Sequence, residues 1–171
     1  MNYRTAIGGY GVPSERDERP AVVNGGSRPV QEGVPAMTAP TPVLSAQEWA
    51  DAFAEANNTD PEIQAHGKHF TCSYLLDAGE HSFVIDVVSG KVVHVAVDPG
   101  PLEAPYQFAI RASAETWRGF GRPVPEPMFH GIWSASFRRD MRLEGDLLVL
   151  MQNLRCITRQ IELLRTVGSP V

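Results

Sequence analysis

Five histidines and two cysteines are the side chains of this sequence best suited to acid-base, metal or thiol chemistry, and their spacing limits what each can do. His66 and His69 stand three apart at an expected helix-to-strand junction, with no cysteine or carboxylate at ligand spacing, so no metal is assigned to them. His94 and Asp86 fall diagonally across an expected hairpin, as an oriented base or as an ordinary surface hydrogen bond. His130 lies between Glu126 and Asp140, within a run of bulky apolar residues. It reads either as a proton carrier or as a histidine at a cavity mouth bonded to backbone or water. Cys72 and Cys156 are too far apart in sequence for a CxxC ligand pair and are read as reduced and buried. No GxSxG, GxxxxGK[ST], HExxH or strand-borne GxGxxG occurs, and Gly8-Gly9-Tyr10-Gly11 follows no strand. No catalytic residue and no cofactor is assigned.

The remaining constellation is apolar. Trp117, Phe120, Met128, Phe129, Ile132, Trp133 and Phe137 crowd one segment, and Met151 and Leu154 follow on the last helix. Such residues either fill a core or wall a cavity.

The elements that must position them can be read from period and punctuation. Ser45-Ala46-Gln47-Glu48 has capping-box spacing and starts a helix with Trp49, Phe53 and Ala56 on one face, stopped by Asn57-Asn58 and Pro61. From Phe70 the period becomes two. Phe70, Cys72, Tyr74 and Leu76 share a face, and an even-numbered loop around Ala78-Gly79 pairs them with Phe83, Ile85 and Val87. At Val88-Ser89-Gly90 a two-residue turn would place Val92, His94 and Ala96 inward. A three-residue bulged turn, with Gly90 left-handed, places Val93, Val95 and Val97 inward instead, and this second turn is expected. It leaves Val84, Asp86, His94 and Ala96 on the more polar face.

A fourth strand is expected within Tyr106 to Ala112, then a short helix capped by Ser113 and broken by the prolines at 123, 125 and 127. Met141 to Glu144 read as a last strand. Asp146 caps a closing helix on which Leu147, Leu150, Met151, Leu154, Ile157, Ile161 and Leu164 form one continuous stripe.

Residues 1–42 hold six prolines, six glycines and four charges of each sign without apolar periodicity, and are read as a flexible arm preceding a domain at 43–171. The net charge of −5 therefore belongs to the domain and argues against nucleic acid and anionic surfaces unless positive groups cluster. The local basic excess, Arg138 and Arg139 followed by Arg155, Arg159 and Arg165, is read as the solvated side of a helix. Without a secretory signal or a membrane-spanning stretch, the protein is placed in the cytoplasm with no integral membrane association.

Three stretches resemble the sterol-carrier-protein type 2 family: the hairpin Val87-Val88-Ser89-Gly90-Lys91-Val92, the capped helix Ser113-Ala114-Glu115-Thr116-Trp117, and the junction Arg142-Leu143-Glu144-Gly145-Asp146-Leu147. The likeness spans about residues 45–165. It implies an α+β fold, a largely antiparallel five-stranded sheet with helices on one face and an apolar tunnel between them. It also implies a sterol, fatty acyl or other lipid-like ligand. Binding of an apolar small molecule is the first reading, with Trp117, Phe120, Met128, Phe129, Ile132, Trp133, Phe137, Met151 and Leu154 as lining. A small enzyme or enzyme accessory using His130 is the second, and a module recruited to a protein partner through the arm is the third.

Overall fold

The computed structural model describes residues 44–171, so the expected arm, residues 1–42, lies outside the described residues. The capping box closes as read, with the Ser45 hydroxyl accepting from the Glu48 amide and the Glu48 carboxylate accepting from the Ser45 amide. Helix α1, Ala46–Thr59, buries Trp49, Ala50 and Phe53. Ala56 is only half-buried, and Asn57 is the residue that turns inward. Asp60 caps α2, Pro61–His66, by accepting from the Glu62 and Ile63 amides, and a 3-10 turn, Gly67–His69, leads into the sheet.

Five strands, β1 Cys72–Asp77, β2 Ser82–Val88, β3 Lys91–Val97, β4 Phe108–Arg111 and β5 Arg142–Gly145, lie in the order β3-β2-β1-β4-β5. Only β1 and β4 pair in parallel, because the loop after β3 carries the chain back across to the far side of β1. The α+β architecture with a largely antiparallel sheet is thus the one the sequence implied. Tyr74, Leu76, Phe83, Ile85, Phe108 and Ile110 face the helices as expected, while Leu75, Val84 and Ala109 form a small second cluster partly covered by Ala96 and Ala104.

The β2–β3 turn departs from expectation. Val88 pairs with Lys91 across a two-residue turn in which Ser89 and Gly90 both have positive φ, 51° and 82°. The extra residue is absorbed inside the strand. Val87 pairs with Val92, Asp86 with His94, and Val93 bulges between them, 61 % exposed. Val92 is therefore the buried residue, while Val95 and Val97 pack against the core as read. The cause is tertiary. A Cβ on Gly90 would meet the Gly67 Cα at 2.9 Å, so the turn is pressed onto the 3-10 segment. The Asn58 side chain meanwhile pins Val92, donating to its carbonyl at 3.0 Å and accepting from its amide at 2.8 Å.

Helix α3, Ala114–Phe120, is capped by Ser113, and the aromatic segment contains a helix not expected from sequence, α4, Ile132–Arg138. The closing helix is two helices, α5 Leu147–Gln152 and α6 Leu154–Val167. Asn153 separates them, its backbone amide bonding the Val149 and Leu150 carbonyls and its side chain donating to Val149 at 2.8 Å. The break interrupts the phase of the apolar stripe. Leu150, Ile157, Ile161 and Leu164 are buried, whereas Leu147 and Met151 face outward.

Candidate functional site

The space between sheet and helices is crossed by a polar chain at its β1–β3 end. Tyr74 Oη donates to Gln160 Oε1 at 2.9 Å, Gln160 Nε2 donates to Asn57 Oδ1 at 2.8 Å, and Asn57 Nδ2 donates to the Gly90 carbonyl at 3.0 Å and to Asn58 Oδ1. Tyr74, Asn57 and Gln160 are wholly buried, and each finds a partner, as low-dielectric surroundings require. Burial drives the Tyr74 hydroxyl well above its ordinary range, and it stays a neutral donor. Sequence reasoning missed this chain, although Asn57 and Gln160 were legible as polar residues on the apolar faces of two helices.

The expected lining residues divide into three groups. Trp117, Phe120, Phe129 and Ile132 are buried in the core. Trp117 Nε1 donates to the Asp77 carbonyl at 2.8 Å, and Phe129 meets Phe120 edge-on at 5.6 Å while its ring occupies the space a side chain on Gly119 would need. Trp133 and Leu154 are half-buried at the core margin. Met128, Phe137 and Met151 are exposed, Phe137 by 80 % and Met151 by 51 %. Leu148, which the sequence did not single out, is 67 % exposed on α5, one turn before Met151. The structure thus places the set as part core, part margin and part surface around α4, β5 and α5. Surface cavities of about 420, 540 and 450 Å³ are lined by none of these nine side chains, although the first, beside His66, His69 and Cys156, also borders Val149 and Gln152 of α5; the second lies beside Asp86 and His94 and the third beside Trp49 and Val171.

The ionisable candidates are dispersed. His130 is exposed and makes no hydrogen bond among the described residues. Glu126 pairs with Arg122, and Asp140 accepts from the Ser113 amide and the Thr116 hydroxyl. Burial opposes ionisation of Asp140, but those two donors outweigh it and hold its carboxyl below the usual range. Neither carboxylate orients His130. Asp86 sits opposite His94 in the β2–β3 register and accepts from Ser73 Oγ. His66 and His69 are exposed, and no three metal-binding side chains gather among the described residues. Both cysteines are buried free thiols. Burial, with Cys156 and Asp86 nearby, pushes Cys72 up to about 12, far from thiolate reactivity at neutral pH.

No protein-family model matches the chain, and no curated protein matches it. Solved structures do. A conserved hypothetical protein of Thermus thermophilus, for which a sterol-carrier role has been suggested, is similar with a TM-score of 0.57 and 21 % identity, covering 74 % of this chain and 91 % of that one. A crystal structure of sterol carrier protein 2 is similar with a TM-score of 0.57 and 21 % identity, covering 70 % of this chain and 95 % of that one. This likeness shows the fold, which is that of sterol carrier protein 2.

Proposed function

We propose that this chain binds and carries an apolar small molecule of the sterol, fatty acyl or other lipid-like class, held between the sheet and the short helices α4 and α5. One observation carries the reading. In a fold that buries nearly all its large aromatic side chains, Phe137, Leu147, Leu148 and Met151 stay exposed, with Trp133, Leu143 and Leu154 half-buried at the core margin. Helix α4 spans seven residues with no side-chain cap at Gly131, and α5 spans six with its own caps at Asp146 and Asn153; neither is tied to a strand by a side-chain hydrogen bond among the described residues, so each can shift as a unit. Their displacement would bring Trp117, Phe120, Phe129 and Ile132 into contact with a ligand. At about 25 cal/mol per Å², covering roughly 300 Å² of such surface supplies about 7 kcal/mol before the cost of association. The sterol-carrier names of the neighbouring structures support the ligand class. The buried free thiols of Cys72 and Cys156 suit the cytoplasm, the compartment included in this proposal.

Native mass spectrometry of the purified chain should find an unmodified apolar molecule retained. Titration with a fluorescent fatty acid or sterol should quench tryptophan emission and raise the melting temperature by mass action. A chain that purifies empty and ignores a broad apolar panel would overturn the reading.

A further inference from the structure

The chain between α3 and α4, residues 122–130, is attached to the body by one side chain. Among the described residues its polar contacts are internal, Arg122 with Glu126 and the Phe129 amide donating to the Glu126 carbonyl at 3.1 Å, and no hydrogen bond or ion pair joins it to the rest of the molecule. Phe129 is buried, whereas Val124 is 84 % and Met128 38 % exposed. The Phe129 ring takes the place of a side chain on Gly119, where a Cβ would lie 2.5 Å from Cε1. It meets Phe120 edge-on at 5.6 Å, and Phe120 meets Trp117 at 5.9 Å, so Phe129 ends an aromatic row that begins in the core. Exposed Arg139, at the end of α4, lies over the same ring at 4.9 Å. Met128, the residue before the ring, has φ 82°, a left-handed conformation that strains a residue bearing a Cβ. Withdrawing the ring would release that strain.

We infer that residues 122–130 form a strap latched by the Phe129 ring, and that withdrawal of this ring is the step that admits a ligand to Phe120, Trp117 and Ile132. A segment held by one apolar contact, with no directional bond to the body, opens as a unit, and the prolines at 123, 125 and 127 stiffen it further. The strap leads directly into α4, so its opening also frees the uncapped start of that helix. The motion of the strap stands on this geometry alone, while its role as a gate rests on the carrier reading.

Two rates measured on the full chain test it: thermolysin cleavage of the native empty protein at the Met128–Phe129 bond, identified by mass spectrometry, and stopped-flow uptake of a fluorescent fatty acid. Gly119→Ala places a methyl group where the ring sits and should speed both roughly tenfold, since the buried ring is displaced. Arg139→Gln removes the cation over the ring and should speed both roughly threefold. Ile63→Val loosens the core under α2 without touching the strap and should change neither rate. Thermal melts verify that each variant folds, and if Gly119→Ala does not, Arg139→Gln, on an exposed residue, decides the matter. Latch variants that are cut at the parent's rate, or an Ile63→Val chain cut as fast as they are, would overturn the strap. Faster cleavage with unchanged uptake would overturn the gate and leave the carrier reading standing. A fatty acid taken up by neither parent nor variants would remove the carrier reading and the gate with it.

Discussion

The two ends of the sheet are covered in contrasting ways. At the β1–β3 end, α1 and α6 are tied to the strands by Tyr74, Gln160, Asn57 and Asn58, and Asp60 joins α2 to Arg159 of α6 at 2.7 Å. At the β4–β5 end, α4 and α5 bury Ile132, Ala135 and Leu150 but leave Phe137, Leu148 and Met151 outside. Directional hydrogen bonds in a buried site allow one arrangement, because any shift leaves a donor or acceptor unpaired. Apolar contact has no such direction, so helices held mainly by it can move aside for an equally apolar guest. Under the proposed function, the first end stays fixed and the second opens to the ligand.

Breaking the polar chain should produce the largest effect. Asn57→Ala strips the partners from Gln160 Nε2 and the Gly90 carbonyl in a buried site, while Asn58 Oδ1 keeps the Val92 amide. A loss of about 3–4 kcal/mol is expected from chemical denaturation, the sum of unpaired polar groups and a small cavity. A loss below about 1 kcal/mol would mean that this end is no more tightly specified than the other.

Asp60 offers the next largest effect and a pH signature. Hydrogen bonding from Arg159 lowers its carboxyl below the usual value, with the Ile63 and Glu62 amides adding to that against the opposing effect of burial. A depressed carboxyl stabilises the folded state at pH above its unfolded pKa, and the contribution fades as acid takes the pH down through the folded value. Asp60→Ala should therefore cost about 1–2 kcal/mol at neutral pH, from the lost cap and one lost partner of Arg159, which keeps Glu162. In denaturation curves the gap from the parent should narrow below about pH 4.

The same contrast accounts for what was legible in the sequence. Ser45, Ser113 and Asp146 announced their helices because a cap is a local interaction, and the alternation from Phe70 to Val87 announced its face because period two is local as well. The choice of Val92 over Val93 was not local. It is set by Gly67 pressing on Gly90 and by Asn58, more than thirty residues upstream, holding Val92. Helix α4 was hidden because its seven residues carry neither a capping side chain nor two full turns of periodicity. The bulky residues from Trp117 to Leu154 were legible as a composition. Their division into core, margin and surface was not, because it depends on Asn153 interrupting the last helix and on where α4 comes to rest.

The smallest expected effect on stability falls at the open end, where function should change most. Phe137, Leu148 and Met151 already face water, so replacing each by serine removes little buried apolar area and should shift stability by no more than about 0.5 kcal/mol. A ligand lodged between α4, α5 and the sheet would cover these same side chains, and losing two of them forfeits roughly 100 Å² of contact, or about 2.5 kcal/mol of affinity. Phe137→Ser combined with Leu148→Ser should therefore leave the thermal melt of the empty protein nearly unchanged while weakening a fluorescent fatty acid or sterol more than tenfold. Unchanged affinity would place the ligand elsewhere. A large fall in stability would show that these side chains are packed more firmly than their exposure indicates, and the distinction between a rigid and an openable end would fail.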